Sequence, residues 1–285
     1  MTFPFKDVFK TSWFNILHYK KMWIIGVLIS GASIFLEYTP EEVNNFFGAI
    51  GQVGIKTWFL SLLKAPTFLL LIVLGFVLAV GLGLLSLLAS ASLISAIRQI
   101  KDNSKADIKS NIKFGLSRFV PMILETIIVS VPLFVMFVLM QVFDNYKLFF
   151  LSSLTTILMF VYALFVFLFQ HFTYCYIVLE QHSPWAAIKA GLQLFSKNWQ
   201  PIIVVHLINL GLIIAFFVAN FLVAAIVAIP FILVGAVLIL FSSWSLPLVT
   251  IVIGMAVYGI VAIVMSGIRS SFSYSLFTHT YWRLR

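Results

Sequence analysis

From Pro201 to Phe241 the chain runs forty-one residues without one Asp, Glu, Lys or Arg. No helix or strand of that composition has a face that water would accept. A hydrocarbon core about 30 Å thick, by contrast, takes roughly 20 such residues as helix. Several other apolar runs of comparable kind flank it. Charged residues make up only 9% of the chain and apolar ones 62%, at a mean hydropathy of +1.11. A soluble domain carries about 25% charged residues, so soluble classes are excluded. Membrane barrels show alternating segments of about ten residues, and none is visible. The chain reads as an all-α, polytopic transmembrane bundle forming a single membrane domain over 1–285.

The expected spans are Met22–Tyr38, Pro66–Ile97, Phe119–Phe143, Leu148–Leu179, one starting at Pro201, and Leu246–Phe277. The first is read as uncleaved, because no small-residue cleavage site follows it. As one helix, Pro201–Phe241 would be about 60 Å long, so a break is expected at Pro230 or Gly235. The stretch Pro230–Trp244 is then a re-entrant or interfacial piece, the alternative being part of a seventh span, which would carry the last three arginines outside. Charge chooses the count. With six spans and both termini cytoplasmic, fifteen of the eighteen basic residues lie inside and only Lys56, Lys64 and Lys147 outside. That is the positive-inside pattern, and the expected location is the inner (cytoplasmic) cell membrane. It also accounts for the net charge of +9 without a nucleic-acid partner.

A short motif recurs. Ile108–Pro121 reads IKSNIKFGLSRFVP, and Ile188–Pro201 reads IKAGLQLFSKNWQP. The second has an apolar stripe at Trp185, Ile188, Leu192, Phe195 and Trp199, a helical spacing. Ser183 is its N-cap and Pro184 its first helical residue. The earlier copy places Ile108, Ile112, Leu116 and Phe119 on one face, behind a Ser104/Asp107 capping box. A third version opens the chain, with Phe5, Phe9, Trp13 and Ile16 on one side. Each is too short to span and mixes basic and aromatic residues, the mark of an interfacial helix. The chain therefore divides into units 1–99, 100–180 and 181–285. Each holds an interfacial helix, a span out and a long span back, a pseudo-threefold repeat. The return spans, about 45 Å of helix, should tilt or protrude.

The segment LEQHSPWAAIKAGLQLFSKNW, with Glu180, Pro184, Ala186, Ala187, Lys197 and Trp199, resembles a signature of a bacterial six-helix membrane family. So do Tyr281 and Arg283 near the C-terminus. This family is related to the membrane domain of glycerophosphoryl diester phosphodiesterase, and includes stand-alone members. The resemblance implies the fold and the membrane location. It does not imply phosphodiesterase chemistry, which in the fused enzymes belongs to a separate soluble domain.

Few residues suggest chemistry. Glu125 lies inside the third span, where an ionisable group is a functional candidate by default. Pairing with Arg98, Arg118 or Arg269 is the plainer expectation. His206 and Asn209 share a helical face at a similar depth, so Glu125, His206 and Asn209 form a candidate polar site. Interhelical hydrogen bonds would use the same residues. Glu180 is expected to stabilise the positive start of the following helix together with Ser183 and Pro184. Lys10, Lys20, Lys21, Lys105, Lys109, Lys113, Lys189 and Lys197 are candidate contacts for anionic lipid headgroups. In the second span Gly75, Ala79, Gly83, Ser86, Ser90, Ala91, Ser95 and Ala96 permit close helix approach. Thr39 and Pro40 open an expected surface helix. The single cysteine, Cys175, reads as buried packing. No metal, nucleotide or nucleophile motif is present, so no cofactor is expected. The leading expectation is a non-enzymatic membrane protein supporting transport or envelope and lipid organisation, with membrane lipids as partners. A transporter or channel built on Glu125 and His206 is the rival, and an intramembrane lipid-acting enzyme the third.

Overall fold

The computed structural model describes residues 3–36, 66–102, 107–241 and 245–285. Among them every regular element is a helix: α1 (Phe5–His18), α2 (Lys21–Leu36), α3 (Pro66–Lys101), α4 (Ile108–Asn145), α5 (Phe149–Leu179), α6 (Pro184–Lys197), α7 (Trp199–Phe241) and α8 (Ser245–Leu284). Five of these, α3, α4, α5, α7 and α8, are long and apolar enough to cross a membrane. Helix α2 is apolar, but its 16 residues reach only about 24 Å, and the rest of the expected Met22–Tyr38 span lies outside the described residues. So do the expected surface helix after Pro40, Ser104, Lys105, and the end of the Pro230–Trp244 piece.

Two expected breaks are absent. Helix α7 passes through Pro230 unbroken, because the one lost hydrogen bond is tolerable where neighbouring backbone adjusts. Helix α4 likewise contains Pro121 and Pro132, so its first turns are continuous with the span instead of forming a separate surface helix. The related segment at 184–201 does break, between Lys197 and Trp199. The residue at the break explains the difference. Asn198 donates through its backbone N–H to Leu194 and Phe195 carbonyls and through Nδ2 to Leu194 O at 3.3 Å. Such side-chain competition ends helices. The matching position in α4 is Arg118, a good helix former. The N-cap of α4 is Asp107, whose Oδ2 accepts from Ser110 N at 3.0 Å.

The long helices pack as neighbours along the chain: α2 with α3, α3 with α4, α4 with α5, and α7 with α8. Helix α8 also packs on α1 and α2, and the three helices α3, α5 and α8 touch one another. Their shared contact is concentrated at one end. Ala89–Ile97 of α3, Phe169–Val178 of α5 and Phe272–Tyr281 of α8 supply most of the core, with Phe172, Phe272, Phe277 and Tyr281 fully buried. Glycine allows the tightest crossings: a Cβ on Gly115 of α4 would run into Ser92 of α3, and one on Gly26 of α2 into the backbone of Gly267 in α8. In α3, Ser90, Ala91, Ser95 and Ala96 are buried as expected for close packing, whereas Gly75 and Gly83 face open space.

The expected apolar stripes pack on protein only in part: Ile16 of α1 and Ile188, Leu192 and Phe195 of α6 do. Helix α1 buries Val8, Ser12, Asn15 and Ile16, leaving Phe9 and Trp13 exposed. Helix α6 buries Ala187, Ile188, Gly191 and Leu194, with Trp185 exposed. The start of α4 buries Asn111 and Gly115 while Leu116 is exposed. In each case small or hydrogen-bonding residues share the protein contact, where they let the backbones approach closely.

Candidate functional site

Polar residues inside the bundle come mainly from α3, α4, α5 and α8, all near the same end. Glu125 of α4 is fully buried. Its Oε2 receives a long contact from Thr126 Oγ1 at 3.5 Å, and its Oε1 has no hydrogen-bond partner among the described residues. None of the expected arginines pairs with it: among the described residues the ion pairs are Arg98 with Asp102, and Arg285 and His182 with Glu180. The Arg118 guanidinium lies over the Phe114 ring instead. From Thr126 the polar contacts continue to the Tyr174 hydroxyl at 3.2 Å, which accepts from Gln170 Nε2 at 2.8 Å. The Tyr274 hydroxyl meets Ser90 Oγ at 2.6 Å.

His206 and Asn209 have other partners. The His206 nitrogens face two carbonyls, Ile202 O at 2.9 Å and Phe167 O at 3.2 Å. The ring packs among Phe167, Phe172, Phe277 and His171, the last at 6.4 Å between centroids. Asn209 Oδ1 accepts from Ser273 Oγ at 2.7 Å. Glu125, His206 and Asn209 are thus not hydrogen-bonded to one another. They are members of a longer polar band in which Tyr174, His171 and Tyr274 lie between α4 and α7. A neutral His206 ring donates to only one of its two carbonyls, and both nitrogens are closed off by the surrounding backbone and rings. Among the described residues no group of His, Cys, Asp and Glu is placed to hold a metal ion.

The second polar cluster closes the basic end. Ser183 Oγ accepts from Ala186 N at 3.4 Å and Pro184 occupies the first turn of α6. Glu180 does not serve that turn. Its carboxylate accepts from the Tyr281 hydroxyl and lies 2.9 Å from Arg285 Nη1, with His182 Nε2 at 3.6 Å. It therefore ties the end of α5 to the end of α8. Physically, a largely buried carboxylate gains more from a cation and a phenol than from one helix end. Asn111 ties the α3–α4 hairpin in a similar way, accepting from Ser95 Oγ at 2.7 Å and donating to Gln99 Oε1 at 3.0 Å.

Lys10, Lys20, Lys21, Lys109, Lys113, Lys189 and Lys197 are all exposed at this end, and Lys189 sits over the Trp185 ring at 5.6 Å. No protein-family model, curated protein or solved structure matches the chain.

Sequence reasoning missed Gln170, Tyr174, Tyr274 and the Tyr281–Arg285 partners of Glu180. A signal was present. Gln170 and Tyr174 are one turn apart, and SGIRSSFSYSLFTHTYW (266–282) is dense in hydroxyls, a composition that suits hydrogen bonding between helices.

Proposed function

We propose that the chain is a non-enzymatic integral membrane protein that holds anionic lipid at its basic end, in support of transport or of envelope and lipid organisation. The observation carrying this is the outward face of the short helices. Phe14 and Leu17 of α1 and Trp185 of α6 are about half exposed, and Phe9 and Trp13, which meet the Phe272 ring of α8 along one edge, are exposed along the other, beside exposed Lys6, Lys10 and Lys189. Aromatic and basic side chains exposed together suit the headgroup region of a bilayer. On this reading α2 is a sixth span, α1 and α6 lie in the interface, and the basic end with both termini faces the cytoplasm. The mutual contact of α3, α5 and α8 favours three repeated units around a pseudo-axis. The resemblance to the six-helix family agrees with this layout. The test is native mass spectrometry of purified protein carrying Lys105→Gln, Lys109→Gln and Lys113→Gln. Anionic lipid retained by the wild type should fall several-fold, each cation near a membrane surface contributing about 1 kcal/mol. Unaltered lipid retention removes the main support.

The orphaned carboxylate oxygen of Glu125 favours one second reading, a transporter or channel with a polar site on the Glu125–Tyr174 band. Its test is flux in proteoliposomes as a function of pH, which Glu125→Gln should abolish. Equal flux in that variant excludes the residue. An enzyme acting on lipid within the membrane has the least support, since no nucleophile and base stand together among the described residues.

A further inference from the structure

At the basic end, α1, the last turn of α3 and the last turns of α8 enclose a cavity of about 280 Å³ lined by Asp7, Val8, Thr11, Lys101, His279, Trp282 and Arg283. We propose that this cavity binds one phosphate group, as a phosphodiester lipid headgroup or as free phosphate. The proposal rests on the lipid-holding reading above and names a discrete site within it.

Three features point to an anion. Lys101 and Arg283 both line the cavity, and among the described residues neither is in an ion pair. Lys101 is instead held by the Trp282 ring, its Nζ 4.0 Å from the centroid. Asp7 shares the cavity but sits in the first turn of α1, where the helix's positive end stabilises it, and it bridges to neither cation. Second, Asn15 Nδ2 lies 2.9 Å from His279 Nε2. An amide N–H only donates, so Nε2 accepts and the neutral ring's proton is on Nδ1. That N–H has no hydrogen-bond partner among the described residues and is a third donor for the cavity. The Thr11 hydroxyl is a fourth. Third, the charges balance. Two cations and one carboxylate leave a net charge of +1 with His279 neutral, which a singly charged phosphodiester cancels. The volume is below the range of about 300–1,000 Å³ for drug-sized ligands, so it suits a headgroup fragment while acyl chains remain in the bilayer. Arg can grip two phosphate oxygens at once and Lys acts as a point charge.

The test uses the purified full-length chain, with mass spectrometry under native conditions reading bound mass. Dioctanoyl phosphatidylglycerol and inorganic phosphate are titrated separately and then against each other. One lipid should bind in preference to the rest, and Lys101→Gln with Arg283→Gln should weaken it at least tenfold. Asp7→Asn, which removes the competing carboxylate, should tighten it. Lys189→Gln with Lys197→Gln should leave this site unchanged. Lipid bound without competition from phosphate assigns the headgroup source, and loading or competition by phosphate assigns the free ion; both support the site. If the Lys101/Arg283 variant binds as the wild type does while the Lys189/Lys197 variant loses lipid, the cavity is overturned and the broader lipid reading stands. Lipid retained by no form of the protein overturns both. Should the double variant fail to fold, as judged by far-UV circular dichroism, Asp7→Asn decides: tighter binding supports the site and unchanged binding overturns it.

Discussion

The two ends of this bundle are built on different rules. At the basic end the interior contains Ser12, Asn15, Ser92, Ser95, Asn111, Glu125, Thr173, His206, Ser271 and Thr280, all nearly or wholly buried. At the opposite end the helices show Phe134, Phe150, Phe160, Phe217, Phe221 and Ile226, each more than two-thirds exposed or close to it. By the usual rule of soluble proteins this is inverted, since large apolar groups belong inside. In a bilayer the rule has no force. Lipid tails solvate Phe and Leu as well as a protein core does, so helices gain from associating only through close packing and hydrogen bonds. Small and polar residues supply both. The basic end is where the fold is held, and the opposite end is where its large apolar side chains are exposed.

Truncation should separate the two ends most sharply. Phe172→Ala removes a fully buried ring and should cost about 3 kcal/mol, as large cavities do. Phe160→Ala, at 69% exposure, should change stability by less than about 0.5 kcal/mol, as unremarkable surface substitutions do. Equilibrium unfolding in mixed micelles would compare them, and equal losses would abolish the distinction between the ends. Enlargement comes next. Gly115→Leu must force α4 away from Ser92 and should cost about 1–3 kcal/mol, whereas Gly83→Leu enters open space and should be nearly neutral. A melting temperature that drops for Gly83→Leu as much as for Gly115→Leu contradicts the contact described. The smallest effect concerns a single hydrogen bond. Asn111→Ala should lose about 1 kcal/mol, and a double-mutant cycle with Ser95→Ala should return a coupling of about 0.6 kcal/mol. Zero coupling would mean that the Ser95–Asn111 bond adds no stability to the α3–α4 hairpin.

Some of this was legible in advance and some was not. The long helices were, because length without charge needs no knowledge of neighbours. The cap at Ser183 was, because its chemistry is local. Pro230 misled, since proline weakens a helix in water more than in a bilayer or a packed bundle. The stripe on α1 misled differently. Phe5, Phe9, Trp13 and Ile16 do share a face, and Phe9 and Trp13 meet Phe272, but Ser12 and Asn15 are buried beside Val8 and Ile16, with Asn15 reaching His279 of α8. The roles of Glu180 and Glu125 were unreadable because their surroundings involve residues far along the chain, Tyr281 and Arg285 for one and, through Thr126, Tyr174 for the other.

What the sequence by itself determined is that the chain is helical and membrane-embedded, with its cations gathered beside helix ends. A backbone in hydrocarbon must satisfy its own hydrogen bonds, and charge must stay at the water boundary. Only the tertiary structure decided which face of each helix meets protein, where Glu180 is anchored, and that Lys101, His279 and Arg283 surround one cavity. Apolar side chains are equally at home against lipid and protein, so hydrophobic periodicity carries no instruction about facing, and that choice falls to steric fit and hydrogen bonding between residues distant in the chain.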